Sequence, residues 1–139
     1  MIQRLQSLWL LLAAFFTALT FKFPFYNGSV MNSSNQLYSA KLTAQFNALM
    51  LIVTAILLAI IVVDIFLFNN RKLQLRLAIL ALIISIADIV WYFTKIETFA
   101  NGELSLSSLF YFVIPIFLFL AARGIWRDQK LIKSLDRLR

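Results

Sequence analysis

Hydrophobic and polar positions alternate along this chain on the scale of whole helices. Four apolar runs, roughly residues 5–23, 46–68, 77–94 and 106–122, are parted by short stretches rich in Asn, Ser, Lys and Arg. A helix rising about 1.5 Å per residue needs about 20 residues to cross the roughly 30 Å hydrocarbon layer of a bilayer. The runs hold 17 to 23 residues each. The pattern therefore predicts an all-α integral membrane protein, four transmembrane helices packed as a bundle in one domain, with a tail over 123–139. The first run ends in FKFPFYNG and not in a small-residue cleavage site, so it reads as a retained span and not as a signal peptide.

Between the runs the punctuation is polar. Pro24 cannot continue a helix, and Asn27, Gly28, Ser29 and Asn32–Asn35 read as a loop of turn formers, with chance sequons at Asn27 and Asn32. Span two could begin as early as Ala40 and should end at Asn69 and Asn70; Asn101 and Gly102 mark a second turn, and Ser105 or Ser107 an N-cap for span four.

Charge then orients the bundle. Arg4, Arg71, Lys72, Arg76 and the six basic residues of the tail account for ten of the thirteen lysines and arginines, and they all fall on one side; Lys22, Lys41 and Lys95 fall on the other. Loops kept in the cytoplasm carry this excess, so both termini are expected there. Trp9 and Trp126 are expected in the inner aromatic belt, and Phe21, Phe23, Phe25, Tyr26, Trp91, Tyr92, Phe93 and Tyr111 in the outer one. A composition of 62% hydrophobic and 14% charged residues fits lipid as the solvent.

Helices approach closely in lipid through small residues. Glycine is not expected to serve, since Gly28, Gly102 and Gly124 lie outside the runs; the spaced pairs Ala14/Ala18, Ala44/Ala48, Ala55/Ala59 and Ala81/Ser85 are. Pro115, midway in span four, should bend it.

Chemistry is sparse. Cysteine and histidine are both absent, which removes disulfides, thiolate sites and the usual general base. No metal-ligand cluster, nucleophile elbow or phosphate-binding glycine loop appears, so neither an enzyme nor a cofactor is expected. Two carboxylates interrupt apolar runs, and an ionised group there costs several kcal/mol, roughly, unless paired. Asp64 lies one turn before Asn69 and reads as snorkelling toward Arg71, Arg76 or Arg4. Asp88 lies deeper, with Tyr92, Lys95 and Lys22 as candidate partners. It reads either as a register-fixing ion pair or as a proton or cation site. Their different depths argue against a proton-sharing dyad.

The tail RGIWRDQKLIKSLDRLR carries six basic and two acidic residues and reads as an amphipathic helix, with Leu131, Ile132, Leu135 and Leu138 on one face. It fits a helix lying on an anionic inner leaflet, or one docked to a protein; Asp128 and Asp136 interrupt the basic face and speak against nucleic acid.

The start MIQRLQSLWLLLA, the stretch NRKLQLRL, the end AARGIWRDQKLIKSLDRLR and the proline midway in span four together resemble the Bacteroidota family of domain of unknown function 4293, over the whole chain. The resemblance implies a small four-span inner-membrane protein and carries no activity or catalytic residue. It singles out Gln3, Arg4, Gln6, Arg71, Lys72, Gln74, Arg76, Arg123, Asp136 and Arg137, all on the side expected to be cytoplasmic. The reading that follows is an accessory or scaffolding subunit of a larger inner-membrane assembly. It would dock to lipid headgroups or other subunits through Arg4, Arg71, Lys72, Arg76, Arg123, Arg127, Lys130, Lys133 and Arg137, and could self-associate. The alternative is a small transporter or ion pathway centred on Asp88.

Overall fold

The computed structural model describes residues 2–31, 36–67 and 70–136, with side chains from residue 5 to residue 131. The elements follow one another as α1 (Ile2–Leu19), β1 (Tyr26–Met31), β2 (Leu37–Leu42), α2 (Ala48–Phe66), α3 (Arg71–Ile96), β3 (Asn101–Leu104) and α4 (Ser108–Asp136). Three helices, Ala48–Phe66, Arg71–Ile96 and Ser108–Leu131, are long and apolar enough to cross a membrane, and α1 adds the shorter apolar stretch Leu5–Leu19.

Helix α1 stops where Pro24 biases Phe23 away from helical backbone. Its end is closed by Phe23 N–H donating to Leu19 O at 2.9 Å and by Thr20 Oγ1 donating to Thr17 O at 2.7 Å. Helix α3 begins at Arg71 itself, so the basic stretch expected as an inner loop is the first turn of a helix. Helix α4 runs unbroken through Pro115 and on to Asp136. As far as Asp136 the tail is thus the continuation of span four and not a separate helix.

The helices close into a ring in which α1 and α3 each pack on both α2 and α4. At mid-height the core consists of Leu10, Ala13, Leu57, Ile61, Ala81, Ile114, Leu118 and Ala121. Outward faces stay apolar, with Ile83, Val90, Ile116 and Phe119 all exposed, as suits helices whose solvent is lipid. Only part of the expected small-residue pairing faces inward. Ala81 and Ser85 are buried on α3 beside Ala78, whereas Ala18, Ala48, Ala55 and Ala59 are exposed. The close helix approach falls to a glycine after all: a Cβ on Gly124 would sit 2.9 Å from Gln6 Cγ across the α1–α4 seam.

The all-α expectation needs correcting at the end opposite the termini. There β1 pairs antiparallel with both β2 and β3, giving a three-stranded sheet in the order β2-β1-β3. Residues read as turn formers, Asn27, Gly28 and Ser29, lie inside β1, and Ala40 lies in β2, eight residues before α2 begins at Ala48. Asn101 and Gly102 are strand, not turn. Gly28 faces Gly102 across β1–β3, where a Cβ on Gly28 would come within 2.5 Å of Asn101 O and one on Gly102 within 2.5 Å of Asn27 O. Two glycines let these backbones meet.

Beneath the sheet, Phe25, Tyr92 and Tyr111 are buried and plug the bundle, rather than standing in an outer belt. Their ring centres lie 5.2 Å (Phe25–Tyr92), 5.0 Å (Phe25–Tyr111) and 4.8 Å (Tyr92–Tyr111) apart, in tilted and edge-on contacts that aromatic quadrupoles favour. Tyr111 Oη also donates to the turn after α1, lying 3.1 Å from Thr20 O and 2.9 Å from Phe23 O. Ser107, expected as a cap, instead donates its hydroxyl to Pro24 O at 3.0 Å, while Ser105 Oγ accepts from Ser107 N–H at 3.4 Å.

Candidate functional site

Polar side chains inside the bundle gather in two centres. The first ties together the end that carries the N-terminus, the α2–α3 turn and the tail. Asp128 of α4 is buried; its Oδ2 accepts from Gln6 Nε2 of α1 at 2.6 Å and from Arg71 Nη1 of α3 at 3.4 Å. Arg71–Asp128 is the ion pair among the described residues. The acid read as an interruption of the basic face has therefore turned inward to join three helices. Beside it Gln74 Nε2 donates to Asp64 O at 3.2 Å, a main-chain oxygen. The Asp64 carboxylate is fully buried and neither oxygen has a hydrogen-bond partner among the described residues; Arg71 serves Asp128 instead, and the Arg4 side chain lies outside the described residues.

The second centre lies on the sheet side. Thr54 Oγ1 of α2 donates to Met50 O at 2.8 Å and lies 3.3 Å from Asp88 Oδ2 of α3. Asp88 Oδ1 and Tyr92 Oη, one turn apart, are buried without a hydrogen-bond partner among the described residues. Thr54 marks the level of Asp88 on α2, and ten residues of helix separate Thr54 from Asp64, so the two carboxylates stand about 15 Å apart in height. They form no dyad. Neither Lys22, which is exposed, nor the half-buried Lys95 pairs with Asp88. Buried polar atoms left unpaired are costly.

Outside, the remaining cations of the first end face away from the core. Lys72, Arg76, Arg123, Arg127 and Lys130 are all exposed. Arg123, Arg127 and Lys130, with Trp126 and Leu131, line an open pocket of about 540 Å³, and Lys130 Nζ stands 5.9 Å from the Trp126 ring centre. The side chains of Arg4, Lys133 and Arg137, also expected in a docking face, lie outside the described residues.

Sequence reasoning passed over Thr54, Asp128 and Tyr111 as functional groups. Thr54 carried a readable signal, a hydroxyl in an apolar run. Asp128 carried none, because its inward direction follows from where α1 packs. Gln6 and Gln74, singled out by the resemblance among polar positions on the side expected to be cytoplasmic, are buried partners of Asp128 and of the Asp64 main chain.

Apolar helices of spanning length, lipid-type outward faces and an internal polar seam define a multi-pass membrane protein with a small three-stranded sheet at one end. The chain belongs to the family described as domain of unknown function (DUF4293), whose model matches residues 2–138. No curated protein and no solved structure matches it.

Proposed function

We propose that this protein is an accessory or scaffolding subunit of a larger assembly in the bacterial inner membrane, with both termini cytoplasmic, docking through the basic end of its bundle. One observation carries this reading. At that end the described acids, Asp64 and Asp128, are buried, whereas Lys72, Arg76, Arg123, Arg127 and Lys130 are exposed, so the exposed charges among the described residues there are all positive. Such an excess fits the cytoplasmic face and a partner with complementary charge. The test is quantitative mass spectrometry of what copurifies with the tagged chain from native membranes in mild detergent. Lys72→Gln combined with Arg76→Gln should cut recovery of a stoichiometric partner by roughly tenfold, the loss expected for about 1.4 kcal/mol of rim charge. An unchanged partner set from a variant that still elutes as a monodisperse species refutes the docking role.

A second reading, a proton or cation pathway, is favoured by the unpaired Asp88 Oδ1 and Tyr92 Oη. Its expected signature is proton- or cation-dependent flux into liposomes that Asp88→Asn abolishes. Equal flux from the variant and the parent protein removes this reading.

A further inference from the structure

Beyond the core, Arg123, Trp126, Arg127 and Lys130 recur along α4 at steps of three and four residues and so share one face. The opposite face is fixed by packing: Ala121, Ile125 and Asp128 are buried, and Gly124 meets Gln6. At 3.6 residues per turn, Asp128 points about 140° away from Arg123. No acid among the described side chains of α4 therefore shares the basic stripe.

Depth narrows what that stripe can meet. By helical rise Arg123 lies about 23 Å and Lys130 about 33 Å from Ser108, where α4 begins under the sheet. The hydrocarbon layer is about 30 Å thick, so the stripe spans the level where lipid phosphates begin. Trp126, 58% exposed, has the amphipathic ring that favours this boundary. Two guanidiniums supply the planar donor forks that match phosphate oxygens, and Lys130 adds a point charge held over the indole.

We infer that the open pocket lined by Arg123, Trp126, Arg127 and Lys130 is a binding site for the phosphodiester headgroup of an anionic phospholipid. Arg123, Arg127 and Lys130 take the phosphate oxygens, and Trp126 covers the glycerol and the start of the acyl chains. The roughly 540 Å³ of space admits a headgroup with one or two phosphodiesters. A protein partner is the less fitting occupant, because a surface at this depth faces lipid in the isolated bundle. The docking reading draws on Arg123, Arg127 and Lys130 too, but Lys72 and Arg76 belong to α3 and do not line this pocket, so substitutions there separate the two readings.

Native mass spectrometry of the full chain, released from detergent carrying phosphatidylglycerol, cardiolipin or phosphatidylcholine, reads the adducts directly. The expected result is selective retention of the anionic lipids over phosphatidylcholine. Combined Arg123→Gln, Arg127→Gln and Lys130→Gln should weaken it by roughly a hundredfold, each cation near such a surface contributing about a factor of five or more. Combined Lys22→Gln, Lys41→Gln and Lys95→Gln, at the sheet end, should leave it unchanged and so controls for net charge. Three results would overturn the inference: retention without headgroup preference, a change under about threefold in the α4 variant, or full displacement by millimolar inorganic phosphate, which indicates a free-anion site. Loss of a protein partner from the α4 variant with its lipid adducts intact would likewise assign the stripe to docking and refute the lipid site.

Discussion

Replacing Asp128 with alanine should destabilise the bundle by about 2–3 kcal/mol, the largest effect expected of any single polar side chain here. The contact from Gln6 Nε2 is short, 2.6 Å, and has a charged acceptor, the class of hydrogen bond with the greatest net contribution. The contact from Arg71 adds less, because at 3.4 Å and with the arginine side chain 24% exposed it is long and partly screened. Removing the carboxylate leaves the Gln6 amide buried without its acceptor, which costs more than the bond itself contributes. Thermal unfolding in detergent, followed by tryptophan fluorescence, measures the loss. Asp128→Asn keeps an acceptor oxygen for Gln6 and should recover about half of it. Equal melting temperatures for Asp128→Ala and the parent chain would mean that the three-helix junction does not hold the bundle's end together.

Substituting Gly28 by valine should break the pairing of β1 with β3 while leaving the four helices in place. A Cβ there meets Asn101 O at 2.5 Å and Phe99 Cδ1 at 2.8 Å, and since the oxygen belongs to backbone, no rotamer change relieves the contact. Overpacking of this kind costs about 1–3 kcal/mol, comparable with what a four-residue edge strand contributes. Hydrogen exchange provides the readout. The Ala100 amide, bonded to Ser29 O at 2.9 Å, and the Ser105 amide, bonded to Phe25 O at 3.1 Å, should lose protection, while amides of mid-helix α3 keep theirs. Unchanged exchange at Ala100 and Ser105 would show that the two glycines are not required for the strands to meet.

These two sites show how legibility divided. The four helices could be read from the apolar runs because in lipid every main-chain polar group must be paired within its own segment, so a run of about 20 apolar residues has few alternatives to helix. The sheet was hidden because Asn27, Gly28 and Ser29 are common turn formers, and because one of the two partners of β1 comes from a distant stretch, 101–104. A local reading has no access to a pairing between residues more than seventy positions apart. The fate of Asp128 was hidden for a related reason. On its own helix it reads as a charge on a basic face, and only the arrival of α1 at Gly124 makes its direction an interior one. Asp64 does not meet Arg71, one of the partners expected for it, because that guanidinium is taken by Asp128.

By itself the sequence determined the number and order of the helices, the polar identity of their ends, the two carboxylates inside apolar runs and the family. These follow from hydropathy summed over a segment and from motifs contiguous in the chain. Tertiary structure alone decided that α4 continues without a break to Asp136, that three strands cap one end, that Gly124 is the close-approach point and that Asp128 is buried while the cations around it stay exposed. Each of those depends on which helix faces which, and the faces are chosen by packing between segments far apart in the chain.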